Sequence, residues 1–174
     1  FGYSAVRMGL LITPWPIAVA FAAPLAGRLV ERFPAGLLGG IGLLIFALGL
    51  AMLAMLPAQP TPLDVIWRMA LAGFGFGLFQ TPNNRTMIAA APRERSGGAS
   101  GMLGTARLLG QTTGAALVAL FLARYPTEGT QLSLLAAVGF ALVGAMLSML
   151  RLSPAGARGA EHVRVREGQR LKGE

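Results

Sequence analysis

Within the long apolar stretches of this 174-residue chain, few side chains could do chemistry, and they gather in two places. One run reads Gln80-Thr81-Pro82-Asn83-Asn84-Arg85, with Arg68 upstream; the other holds Thr105, Arg107, Gln111, Thr112 and Thr113. Amides, hydroxyls and guanidinium groups form hydrogen bonds and carry charge, but alone they do not break bonds. The groups that would do so are missing or misplaced. Cysteine is absent, which excludes disulfides, thiolate metal sites and thiol nucleophiles. The one histidine, His162, falls in a polar tail. Every acid (Glu31, Asp64, Glu94, Glu128, Glu161, Glu167 and Glu174) lies in a loop, at a helix edge or in the tail. No Ser/His/Asp set, carboxylate pair or metal-ligand cluster is left for the apolar stretches. The chain is therefore expected not to be an enzyme and to use no cofactor and no metal. Gly73-Phe74-Gly75-Phe76-Gly77 sits inside an apolar run rather than at a strand-to-helix turn, so it is no dinucleotide fingerprint, and no Walker A sequence is present.

The elements carrying these side chains are expected to be membrane spans. Apolar residues make up 54% of the chain and charged ones 13%, about half the charged share of a soluble domain. A helix needs about 20 apolar residues to cross the hydrocarbon core. Five segments qualify: 8–26, 36–56, 65–89, 98–122 and 132–150. The fold expected over 1–150 is all-α, an integral membrane bundle of five helices. Basic residues cluster in alternate connections: Arg28 and Arg32, then Arg93 and Arg95, then six more from Arg151 to Lys172. The 57–64 connection has none. The positive-inside rule then puts the start of the chain outside and the tail, 151–174, in the cytoplasm, where its composition predicts disorder. The same rule accounts for the net charge of +8 without nucleic acid. Asn84-Arg85-Thr86 matches a glycosylation acceptor but falls on the cytoplasmic side.

The five spans differ in character. The second has no polar side chain, and the fifth has only Ser133 and Ser148 near its ends; both are expected to face lipid over much of their circumference. The third and fourth carry the polar residues. A charge near the membrane centre costs at least about 2.5 kcal/mol and so faces protein or a watery cavity. At 1.5 Å per residue, Gln80 and Arg107 lie at similar depth, about 13 Å from the cytoplasmic ends of their helices. They are expected to touch or to share a cavity wall, with Asn83, Asn84, Gln111 and Thr112 as further substrate-path candidates. Arg107 could equally anchor on backbone carbonyls of a neighbouring helix. For Arg68 a local ion pair with Asp64, one turn away, is the favoured reading. Gly73, Gly75 and Gly77 on the third span, and Gly101, Gly110 and Gly114 on the fourth, mark faces for close helix packing.

Residues 27–34 read Gly-Arg-Leu-Val-Glu-Arg-Phe-Pro. They resemble the Gly-x-Leu-x-Asp-Arg-x-Gly cytoplasmic signature of the major facilitator superfamily, with Glu31 for the Asp and Pro34 for the second Gly. Further likenesses follow in order: Gly2-Tyr3-Ser4 with Met8-Gly9-Leu10 and Pro14, then Arg68 with the Gly73–Gly77 run and Pro82, then Gly98 to Gly101, Arg107, Gly110-Gln111 and Gly114. The set is most similar to the fourteen-span drug:proton antiporter branch and covers roughly residues 2 to 150. The resemblance implies an incomplete C-terminal half of a major facilitator fold in a bacterial inner membrane, its first helix missing. The first and fourth spans would lie at the interface between halves, the third on the central cavity, and the second and fifth outside. It implies proton-coupled efflux of lipophilic or cationic compounds. The partners would be the bilayer, a small-molecule substrate, protons and the missing N-terminal helices of the same polypeptide. In the resembled family the proton-carrying carboxylate is usually in the N-terminal half. Gly27, Glu31 and Arg32 would brace the inward face, against the alternative of a solvated loop pair. Two other readings stand beside this one: a facilitator of a sugar or metabolite, and a small five-span structural protein.

Overall fold

The structure, a computed structural model, describes residues 5–57, 59–89 and 96–150. The opening Gly2-Tyr3-Ser4, the basic Arg93 and Arg95, and the whole tail from residue 151 lie outside the described residues. Among the described residues the chain is all helix: α1 (Ala5–Ile12), α2 (Pro14–Leu29), α3 (Ala35–Ala54), α4 (Pro62–Ala89), α5 (Ser96–Arg124) and α6 (Gly129–Leu150). Among the described residues, five helices are long and apolar enough to cross a membrane, the first running from Gly9 to Leu29 across the α1–α2 junction.

That junction follows from two prolines. Pro14 and Pro16 lack N–H groups, so carbonyls one turn back lose their helical partners. The Gly9 carbonyl, next to those released, keeps the Thr13 N–H at 3.1 Å and also accepts from the Thr13 hydroxyl at 2.7 Å. Ile17 N–H still reaches the Thr13 carbonyl at 3.4 Å, which keeps the two helices on one course. α4 starts with a capping box: the Asp64 N–H donates to Thr61 Oγ1 at 3.2 Å, and the Thr61 N–H donates to Asp64 Oδ2 at 3.1 Å. Further along, Pro82 interrupts the ladder and is itself fully buried.

In lipid, apolar contrast does not drive helices together; close approach through small residues does. α3 and α4 meet backbone to backbone. A Cβ on Gly42 would lie 2.6 Å from the Phe79 nitrogen, one on Gly49 would strike Ala72, and one on Gly75 would strike the Phe46 nitrogen. α2 uses the opposite side of α4, where Gly73 abuts Trp15 and Gly77 abuts Ala22. α6 packs on α3, fastened by Ser148 Oγ donating to the Gly36 carbonyl at 2.9 Å.

This packing corrects one expectation from sequence. The second span, α3, is not a wall with lipid around most of it: it is the most buried helix, wedged between α4 and α6. Only the stripe Ile41, Leu44, Leu48 and Met55 stays exposed. Its glycines, not its apolarity, put it there. α5 is the reverse case, lightly packed on α6 and α4 with none of its described residues buried. Gly101, Gly104, Gly110 and Gly114 have nothing within 4 Å of where a Cβ would stand.

Candidate functional site

Along α4, Phe76, Gln80, Asn83 and Met87 recur at four- and three-residue steps, the spacing of one helix face. Ser100, Gly104 and Arg107 do the same on α5. The two faces meet around a cavity of about 440 Å³, to which Phe79, Asn84 and Leu103 also contribute. Gln80 and Arg107 thus line one space. Of the six substrate-path candidates, Gln80, Asn83, Asn84 and Arg107 are brought together. Gln111, one turn beyond Arg107, is exposed and does not line this cavity. Thr112 turns back on its own helix, donating to the Leu108 carbonyl at 3.1 Å and the Leu109 carbonyl at 3.0 Å.

Asn83 occupies a junction. Besides the α4–α5 cavity it borders a small one of about 220 Å³ beside Gly36, Thr86 and Ser148. It also borders one of about 300 Å³ lined by Leu43, Phe140, Gly144 and Leu147. Its Nδ2 sits 3.7 Å from Met87 Sδ, a weak contact that leaves most of the amide's capacity unused. Arg107 forms no ion pair or hydrogen bond with any described residue. Among the described residues no carboxylate lines the cavity.

Sequence reasoning passed over an aromatic cluster, of which Phe76 and Phe79 line the cavity. Phe76 lies 5.7 Å from both Trp15 and Phe46, centroid to centroid, and those two are 5.7 Å apart. Phe79 continues the group at 6.5 Å from Phe76. Extending the helical period from Gln80 back to Phe76 and on to Met87 would have found the α4 members. Trp15 and Phe46 come from other helices and leave no such signal.

Elsewhere, Arg68 and Asp64 form the ion pair expected one turn apart, with Nη1 3.8 Å from Oδ1; that is too long for a hydrogen bond, and the buried Arg68 Nε and Nη1 have no hydrogen-bond partner. The other Asp64 oxygen, Oδ2, accepts from the Thr61 hydroxyl at 2.6 Å. Between α2 and α3, Glu31 and Arg32 are exposed and Gly27 has open space at its Cβ position. Two Leu29-carbonyl hydrogen bonds, from the Arg32 and Phe33 N–H groups, hold that turn.

Comparison with known proteins adds the following. A family model described as Major Facilitator Superfamily matches residues 1–171. The chain is 60% identical over 152 residues to the uncharacterized transporter YebQ of Escherichia coli, covering 87% of this chain and 33% of that protein. It is 37% identical over 124 residues to the multidrug resistance protein Stp of Mycobacterium tuberculosis, covering 71% of this chain and 23% of Stp. It is 27% identical over 121 residues to the riboflavin transporter RibZ of Clostridioides difficile, covering 70% of this chain and 26% of RibZ. The chain therefore spans a third or less of the length of these relatives. No solved structure matches it.

Proposed function

We propose a role in substrate export, from the premise that the chain belongs to the Major Facilitator Superfamily. That family is one of transporters, not enzymes, and the five apolar helices make this a multi-pass membrane protein. In our reading the polypeptide is a proton-driven exporter of lipophilic, drug-like compounds, and this chain supplies its C-terminal part. Two helical bundles rock about a site near the midplane. The basic loops set the protein in the inner membrane with residue 1 outside and the tail in the cytoplasm.

The observation that carries this reading is the α4–α5 cavity. Five polar side chains, Gln80, Asn83, Asn84, Ser100 and Arg107, stand on walls that are otherwise apolar, Phe76, Phe79, Met87 and Leu103 among them. A few convergent polar groups in an apolar recess suit a small lipophilic molecule. The name of Stp, a multidrug resistance protein, supports the same direction. The exposed faces of α5 and α6, with their unfilled glycines, suit cover by further helices of the same polypeptide. Those helices would complete the cavity and bear the proton-carrying carboxylate.

The test is efflux of a lipophilic fluorescent dye from an efflux-deficient bacterial strain expressing the full-length polypeptide. Export that stops on adding a protonophore is the expected result, with Gln80→Leu and Asn83→Leu each slowing it severalfold. Absence of export, or export indifferent to the protonophore, overturns the reading. The name of RibZ supports a second one, a carrier for a single aromatic metabolite. Saturable transport of riboflavin with no dye export would favour it.

A further inference from the structure

We infer that the exported compound makes a second stop, in a cavity at the outer ends of α3, α4 and α6, which it reaches along one face of α4 past the Phe76 ring. The inference rests on the export reading above and extends its single site to a path.

That second cavity holds about 770 Å³, within the range of small-molecule sites. Leu53, Leu56, Met69 and Leu134 give it apolar walls, and Thr130 and Gln131 add a hydroxyl and an amide. Both polar groups donate and accept hydrogen bonds, and a thioether side chain adapts to irregular shapes. Such a lining takes a lipophilic compound with a few polar atoms, the class that the export reading names.

α4 joins the two cavities. Met69 lines the outer one, while Phe76 and Met87 line the inner one between α4 and α5. Seven residues make about two helical turns and eleven about three, so these three side chains share one face of α4. By the rise per residue, Met69 stands about 10 Å from Phe76 along the axis. The cavities share no lining residue, and the stretch between them is where three helices close. Gly73 lies against the Trp15 backbone of α2, and Gly75 against the Phe46 backbone of α3. Those contacts bring the Trp15 and Phe46 rings to Phe76, each pair of centroids 5.7 Å apart. The backbones there cannot part without breaking both glycine seams, but the rings can turn about their own side-chain bonds. Passage between the cavities is then a matter of ring rotation, with Phe76 the side chain that the compound displaces.

The test uses the full-length transporter in energised membrane vesicles with rhodamine 6G and a photoreactive azide of that dye. Illumination is expected to give adducts on segments 53–57 and 130–134 as well as beside the inner cavity, read by peptide mass spectrometry. Excess rhodamine 6G should suppress both sets severalfold and leave any adduct on the exposed Ile41 and Leu44 unchanged. Phe76→Ala should let the dye run down its gradient severalfold faster in protonophore-treated vesicles. Phe74→Ala, which removes an equal ring packed instead against Ala26, Leu38 and Leu78, should not. A mere loss of folded protein lowers export in both variants and opens no leak. Export with no competed adduct at 53–57 or 130–134, as when a lipid tail or another helix fills that cavity, overturns the inference and leaves the export reading standing. Competed adducts in both cavities with no leak in Phe76→Ala overturn the route past Phe76, and the inference with it. Absence of export removes the export reading and this inference together.

Discussion

Replacing Gly75 by valine is expected to destabilise the protein by about 1–3 kcal/mol or more, because the added carbons meet the Phe46 backbone and not a flexible side chain. Gly139→Ala, where nothing stands within 4 Å, should change little. Melting temperature in detergent distinguishes the two. Thr61→Ala removes the hydroxyl that accepts from the Asp64 N–H and should lower stability by about 1 kcal/mol, by the same measurement. At this scale the sequence was partly legible. Gln80 and Arg107 could be set at one depth by counting residues, since rise per residue is fixed. Trp15 and Phe46 could not be placed beside Phe76, because their meeting depends on where three separate helices cross. Gln111 and Thr112 looked equivalent to Arg107 in type. Only the structure separates them, one because it lies a turn away and the other because its hydroxyl bonds its own backbone.

At the scale of the helix, α4 combines a buried Pro82 with side-chain bonds to its own backbone on either side. Thr81 Oγ1 donates to the Gly77 carbonyl at 3.2 Å and Thr86 Oγ1 to the Pro82 carbonyl at 2.8 Å. A proline inside a helix is a point where the cavity-bearing half of α4 can change direction relative to its other half. Pro82→Ala is expected to slow transport severalfold while membrane abundance stays near normal, measured as dye efflux against immunodetected protein. The prolines at 14, 16 and 82 are readable from the sequence as interruptions, since a missing N–H acts locally. The burial of α3 is not. In water a buried helix is betrayed by an apolar face opposite a polar one. A helix apolar all round gives no such contrast, and the only signal is the spacing of Gly39, Gly40, Gly42 and Gly49.

For the molecule as a whole, helices α2, α3, α4 and α6 form a firm assembly and α5 lies loosely at its side. The chain expressed alone is expected not to move dye across a vesicle membrane. A cysteine placed at Gly104 should be alkylated quickly in that chain, and at least about tenfold more slowly in the full-length polypeptide if further helices cover it. A cysteine at Ala72, fully buried between α3 and α4, should be slow in both. Equal labelling of Gly104 in the two proteins would remove the case for a covering helix. Hydropathy made five spans legible, because length and apolarity suffice for that. How firmly each span is held was not legible, because it depends on partners rather than on composition.

The glycine contacts between α3 and α4 also have a mechanical side. Side chains between helices act as a compliant layer, able to hop between rotamers and absorb small displacements. At Gly42, Gly49 and Gly75 that layer is missing, and peptide planes bear directly on one another. A substrate pressing on Asn83 would therefore push α3 together with α4 and, through the bond from Ser148 to Gly36, would tug on α6 as well. Three helices would swing as one stiff lever, with a single contact at the cavity enough to load it.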